Sequence, residues 1–286
     1  MARFDRHPSP QPSPREGRGG SSKPKTAKLK ILAPQGERMP EGQVRGGGRI
    51  STSSQVERAL KLLGTPEKAK SSAWFFKTGV GQYGHGDVFA GVTVPEQRKV
   101  ARQFRDLPLT EIDKLLASKI HECRLTALLV LVGQYQKADA ATRERIVEFY
   151  LAHTPRINNW DLVDSSASYI LGVHLLHADE KKRKILYRLA KSKDLWERRI
   201  AIIATLAFIR NNEYADTLAL AELLLSDSHD LIHKATGWML REVGKRSPDT
   251  LREFLRAHAT QMPRTMLRYA IERFPDEERK DWLGRK

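Results

Sequence analysis

The stretch His121–Ile200 reads HECRLTALLV LVGQYQKADA ATRERIVEFY LAHTPRINNW DLVDSSASYI LGVHLLHADE KKRKILYRLA KSKDLWERRI, and its rhythm decides the fold. Apolar residues recur at helical spacing in runs of about 10 to 16 residues, the periodicity of amphipathic helices rather than of strands. Short polar breaks at Gly133 to Asp139, Thr154-Pro155, Ala178-Asp179 and Ser192 to Asp194 end each run. Helix starts near His121, Asn159, Trp196 and Leu231 are spaced by 38, 37 and 35 residues. Each interval holds two helices, so the repeating unit is a helical hairpin.

A period of this length lies in the range of tetratricopeptide, HEAT and armadillo repeats. The Trp, Leu-Gly and Tyr offsets of the tetratricopeptide pattern are absent, which leaves an all-α, HEAT-like (ARM-type) solenoid. Stacked hairpins bury a continuous core and leave a long concave face for a partner. Working outward, the helical pattern runs on through breaks at Asn211-Asn212, Ser226 to Asp230, Gly244 to Pro248 and Met262-Pro263. Upstream, Val56, Leu60, Leu62 and Leu63 share helical spacing, and Thr65-Pro66-Glu67 and Thr93-Val94-Pro95-Glu96 each read as a cap with proline in the first turn. Between them the Gly-rich stretch Gly79 to Gly91, flanked by Trp74, Phe75, Phe76, Tyr83 and Phe89, lacks the Gly-Lys-Ser/Thr of a nucleotide loop. It reads as a surface loop packed by its own aromatics.

The 286 residues carry 50 Lys and Arg against 34 Asp and Glu, a formal net charge of +16, which points to a polyanionic partner. Residues 1–55 hold 11 of the basic and 4 of the acidic residues, with 7 prolines and 8 glycines. Such a segment buries too little apolar surface to offset its ordering entropy and reads as a disordered basic tail, with Met39 as an alternative start. The run from His7 to Pro14 is low-complexity, with no apolar core of a signal peptide behind it. Residues 56–286 form the folded domain. The single cysteine, Cys123, excludes an internal disulfide and makes a reducing cytoplasm the default compartment. Apolar runs such as Leu125 to Val132 fall short of the roughly 20 residues of a membrane span.

Trp160 and Asp164 stand four apart and share one helix face. Arg199 follows Asp164 by 35 residues and Trp238 follows Arg199 by 39, both close to one repeat. These four therefore fall on equivalent helices. On spacing alone two readings stand: a functional cleft of two indoles, a carboxylate and a guanidinium, or buried tryptophans with an ion pair between repeats.

The segments Asn158 to Ser165 (NNWDLVDS), Leu195 to Ala201 (LWERRIA) and His233 to Glu242 (HKATGWMLRE), with Phe89 to Arg98 (FAGVTVPEQR), resemble the AlkD-type DNA alkylation repair glycosylases. The likeness covers most of Val56 to Arg273. It implies an enzyme that removes cationic N3- or N7-alkylated purines from duplex DNA. A monomer is the default for a solenoid that engages a duplex, and the expected place is the cytoplasm, at the nucleoid. Carried over by position, Trp160 and Trp238 become aromatic walls against the lesion nucleotide, Asp164 the catalytic carboxylate and Arg199 a phosphate contact. Two departures are the basic tail and a Gly79 to Gly91 loop longer than in the best-known members.

Duplex binding is expected from basic residues around these positions: Lys77, Arg98, Arg198, Arg199, Lys234, Arg241 and Lys245. His229 with His233 and His174 with His177 have ligand-like spacing but no metalloprotease glutamate or cysteine beside them, and read as surface or capping residues. No metal, nucleotide or redox cofactor is indicated. The competing reading is a catalytically silent HEAT-like nucleic-acid binder or scaffold. Asp164 speaks for the enzyme, because a pure binder gains nothing from a carboxylate that faces phosphate.

Overall fold

The computed structural model describes residues 51–285. The expected tail, including the His7 to Pro14 run and Met39, lies outside the described residues except at its end. There Thr52 opens a capping box with Gln55, so Ser51 to Gln55 belong to the first helix and its cap rather than to the tail.

Four helices lead into the array: α1 (Ser53–Leu63), α2 (Pro66–Phe75), α3 (Val94–Gln103) and α4 (Leu109–Leu116). Thr65 caps α2 ahead of Pro66, and Thr93 closes a capping box with Glu96 on α3, as the sequence predicts. The hairpins follow: α5 (His121–Lys137) with α6 (Ala140–Ala152), and α7 (Trp160–Asp164) and α8 (Val173–Leu176) with α9 (Glu180–Ala190). Next come α10 (Leu195–Ala204) and α11 (Leu206–Arg210) with α12 (Ala215–Leu223), then α13 (Asp230–Arg246) with α14 (Pro248–His258). A last pair, α15 (Arg264–Ala270) and α16 (Asp276–Gly284), extends the period by one unit that the sequence reading did not count. Hairpin starts at His121, Trp160, Leu195, Asp230 and Arg264 agree with the expected ones to within one residue where both exist. No strand occurs among the described residues, only an isolated bridge between Val88 and Ile120.

The leading helices α5, α7, α10, α13 and α15 pack side by side in chain order. Their shared surface is the core, with Leu128, Leu131, Leu162, Ile200, Ile203, Met239 and Val243 fully buried. Each such aliphatic side chain contributes about 1.5–3 kcal/mol through burial. The C-terminal helices gather a smaller cluster around Leu251, Leu255, Met266 and Trp282.

Two interruptions shape the leading helices. Thr205 donates its hydroxyl back to the Ile202 carbonyl at 2.7 Å, which accompanies the break between α10 and α11. After α7, a turn of π-helix at Ser168–Gly172 resets the backbone before α8. Gly172 is required there, because a Cβ would lie 2.2 Å from the Ala204 carbonyl oxygen on α10. This close approach seats α10 against the chain that follows α7.

Candidate functional site

The site is built at the first turns of α7 and α10. Asn159 caps α7 by accepting the Trp160 amide at 2.8 Å, and Asp194 caps α10 by accepting the amides of Trp196 and Glu197 at 2.7 and 3.1 Å. With the starts fixed, Asp164 falls one turn past Trp160 and Arg199 one turn past Trp196. Their side chains meet across the two hairpins. Arg199 Nε donates to Asp164 Oδ1 at 2.9 Å and Arg199 Nη2 to Asp164 Oδ2 at 2.8 Å, a bidentate bridge. The third nitrogen, Nη1, donates to the Leu231 carbonyl of α13 at 2.6 Å. The side chains retain 2% (Arg199) and 5% (Asp164) of their exposure. Burial pushes the Asp164 carboxyl above its ordinary value, and the Arg199 guanidinium opposes that shift.

Arg199, expected at a phosphate, has its guanidinium engaged by Asp164 and the Leu231 carbonyl and is buried. Trp160 is half-buried, backed by Phe76 in a stack at 5.2 Å and met edge-on by Phe75 at 5.8 Å. Trp238 is placed differently from an exposed wall: 8% exposed, it belongs to the core, and its indole N–H donates to Glu242 at 3.2 Å. Of the four residues, one indole lies at the surface, one lies inside, and the carboxylate and guanidinium form an ion pair between repeats.

The Gly-rich loop also departs from expectation. Its aromatics pack on the site rather than only on one another. Phe76 and Phe89 stack at 5.1 Å, and each lies 4.8 Å from the His121 ring. Tyr83 sets its ring edge-on to Trp196 at 6.1 Å. Burial raises the Tyr83 phenol pKa, with the neighbouring Trp160 indole and Arg199 opposing. The loop is also tied to α5 through its backbone, because Glu122 accepts the amides of Ala90, Gly91 and Val92 at 2.9, 2.8 and 3.2 Å. Gly91 has φ +81°, and a Cβ there would lie 2.2 Å from the Thr65 carbonyl oxygen.

Behind this loop sits a buried polar network that the sequence reading missed. His121 Nδ1 pairs with Asp87 at 3.1 Å and Nε2 with Asp161 at 2.7 Å, while Arg124 donates to Asp87 at 2.6 Å. Burial alone would lower the His121 pKa, but Asp161 and Asp87 overcome that and hold it at about 9. The Asp87 carboxyl, pushed up by burial, is brought below its ordinary value by His121 and Arg124. The available signal was the run of polar residues His121, Glu122 and Arg124 at the head of an otherwise apolar helix.

The basic residues divide into two sets. Lys77 and Arg98 are exposed and form no ion pair among the described residues. The others are engaged within the protein. Arg198 is bound by Asp227 at 2.6 Å and by the carbonyls of Ser192 and Lys193, and Arg241 pairs with Glu272 at 12% side-chain exposure. Lys234 pairs with Asp230 at 2.7 Å and Lys245 with Glu242 at 2.6 Å, each keeping 30% exposure. Arg198 and Arg241 therefore serve the fold before any duplex, while Lys234 and Lys245 keep part of their charge at the surface. His229 caps α13 through Nδ1, and His233 bonds the Asp227 carbonyl, so this pair acts at a helix end. No helix among the described residues is long and apolar enough to cross a membrane.

A sequence profile described as DNA alkylation repair enzyme matches residues 56–274. Among solved structures, one described as a predicted DNA alkylation repair enzyme from Enterococcus faecalis superposes with a TM-score of 0.62 at 21% identity, covering 74% of this chain and 97% of its own. A structure of AlkD2 from Streptococcus mutans gives 0.47 at 17% identity, covering 78% of this chain and 97% of its own. No curated protein matches.

Proposed function

The chain belongs to the DNA alkylation repair enzyme family, and from that membership together with the Asp164 site we propose that it is a DNA glycosylase acting on cationic N3- and N7-alkylated purines in duplex DNA. A role in DNA repair follows from the family; the reaction and its residues are our reading. One observation carries it: a carboxylate locked by a bidentate arginine, one helical turn from an aromatic face backed by stacked phenylalanines.

An alkylated purine that bears positive charge leaves as a neutral base, and the sugar develops oxocarbenium character. The catalyst must stabilise that cation and hold a water. Asp164 does both: its charge favours the developing cation in a site shielded from water, and a free lone pair orients the nucleophile. Arg199 keeps the carboxylate ionised and fixed against its burial. Trp160 offers an indole face to the polarised sugar and cationic base, an interaction that neutral nucleotides gain less from. Trp238 contributes from behind, as a buried member of the core on α13. Lys77 and Arg98 contact phosphates, with the partly exposed Lys234 and Lys245 in support. The protein works without a cofactor, as a monomer on duplex DNA in the cytoplasm.

A second reading, a silent DNA-binding solenoid, is favoured by the 5% exposure of the Asp164 side chain and by the engagement of both its oxygens. The two separate in one assay. Purified protein incubated with methylated duplex is expected to release N3-methyladenine or N7-methylguanine, and Asp164→Asn and Trp160→Ala to release far less. Wild type that binds the duplex but frees neither base would establish the silent binder.

A further inference from the structure

Trp160 is held from both sides by one buried network. At the preceding position, Asn159 Nδ2 lies 3.4 Å from Asp87 Oδ2. At the following position, Asp161 Oδ2 is bonded by His121 Nε2 at 2.7 Å, while Asp161 Oδ1 accepts the Leu162 amide at 2.9 Å. The imidazole links these points, because its other nitrogen faces Asp87 at 3.1 Å. Phe76 completes the circuit, lying 4.8 Å from the His121 ring and stacked on Trp160 at 5.2 Å.

We propose that His121, buried between Asp87 of the Gly-rich loop and Asp161 beside Trp160, is a positioning residue that sets the indole of Trp160 for the lesion nucleotide. The inference rests on the glycosylase reading for what Trp160 does, and on geometry for what holds it.

The charged groups that face His121 are Asp87 from the loop, Arg124 from its own helix and Asp161 from α7. Phe76 and Phe89 supply the remaining walls. With the imidazole protonated, two carboxylates and two cations form a neutral quartet in a site where His121 is 2% exposed. Removal of the imidazole proton leaves a net negative charge out of water, which favours separation of Asp87 from Asp161. The two residues that flank Trp160 then lose their common anchor. Loop and indole move together because Phe76 touches both rings.

The test follows the Trp160 indole N–H resonance in the free protein from pH 6 to 10, assigned by its loss in Trp160→Phe, alongside base release at neutral pH. In wild type the resonance should shift with a midpoint near pH 9, where His121 titrates. In His121→Gln it should start displaced and stay flat, while release from an N7-methylguanine duplex falls about tenfold or more in kcat with KM little changed. A merely structural His121 would lower thermal stability without tying the Trp160 resonance to its own titration. If His121→Gln does not fold, the wild-type titration alone decides. A Trp160 resonance that ignores the titration of His121 overturns the proposal, even if base release is normal. If wild type releases no base yet Trp160 follows His121, the positioning stands and the glycosylase reading falls.

Discussion

Replacing Asp164 by Asn keeps the shape of the side chain and removes its charge, and the structure sets the cost. Arg199 loses its ionic partner while its side chain is 2% exposed, and only the Leu231 carbonyl is left unchanged as an acceptor. Breaking a buried pair by removing one partner costs about 3–5 kcal/mol. The amide oxygen of Asn preserves one hydrogen bond, so the lower end, about 3 kcal/mol, is expected. For a domain of this size that corresponds to a fall in Tm of about 6–12 °C. Arg199→Met perturbs the other half and should behave differently. The carboxyl left behind is already pushed upward by burial, and without Arg199 nothing opposes that shift, so its pKa rises further. Its folded pKa then exceeds the unfolded value of about 3.9. Stability is fully retained below that value and declines as pH rises through the folded pKa. Arg199→Met should therefore be more stable at pH 5 than at pH 7. The double variant Asp164→Leu/Arg199→Met should lie closer to wild type than Asp164→Leu alone, because no charge is stranded. Urea unfolding followed by tryptophan fluorescence measures all of these. A loss below about 1 kcal/mol in Asp164→Asn at pH 7 would refute the reasoning, since exposed pairs have that magnitude. Activity of Asp164→Asn must accordingly be assayed well below its midpoint, so that lost chemistry is separated from lost fold.

Three further outcomes follow. Lys77→Ala and Arg98→Ala should each weaken duplex binding and reduce the slope of log affinity against log salt by about 0.9, whereas Arg198→Ala should lower Tm and leave the slope unchanged; equal slopes in all three would contradict the division of the basic residues. Gly237→Ala should destabilise by about 1–3 kcal/mol, read by urea midpoint, because the new Cβ would lie 2.4 Å from the Met266 carbonyl oxygen and 2.6 Å from the Tyr269 Cβ. Burial pushes the Cys123 thiol up to about 11, so the native protein should resist iodoacetamide at pH 8 and react only once unfolded.

The repeat was legible because each hairpin announces itself locally. Apolar spacing, Asp caps at Asp139, Asp179 and Asp194, and proline after Thr65 and Thr93 act over a few residues, and pattern reading sees that range. The meeting of Asp164 with Arg199 was legible for a related reason: a regular period converts sequence distance into spatial adjacency. The roles were not. Spacing places Trp238 on a leading helix, but whether its indole faces outward depends on how α13 is rotated against its neighbours, which no local pattern encodes; it is buried. Arg198 and Arg241 look like free cations in sequence because their partners, Asp227 and Glu272, stand 29 and 31 residues away. His121 stayed hidden as a helix start: Asp161 lies 40 residues on, close to one period, but Asp87 comes from the Gly-rich loop, 34 residues upstream and outside the repeat pattern.

Arg199 has a consequence for how the array comes apart. A solenoid whose units touch only their neighbours behaves as a one-dimensional chain, free to fray from an end one unit at a time. From α10 this side chain grips Asp164 in the preceding hairpin and the Leu231 carbonyl in the following one. Neither seam can open without stranding the same guanidinium, so the two interfaces share one energetic penalty and the central three hairpins should melt as a single cooperative block. Amide exchange in α7, α10 and α13 would then report one common opening event, with the flanking helices exchanging earlier.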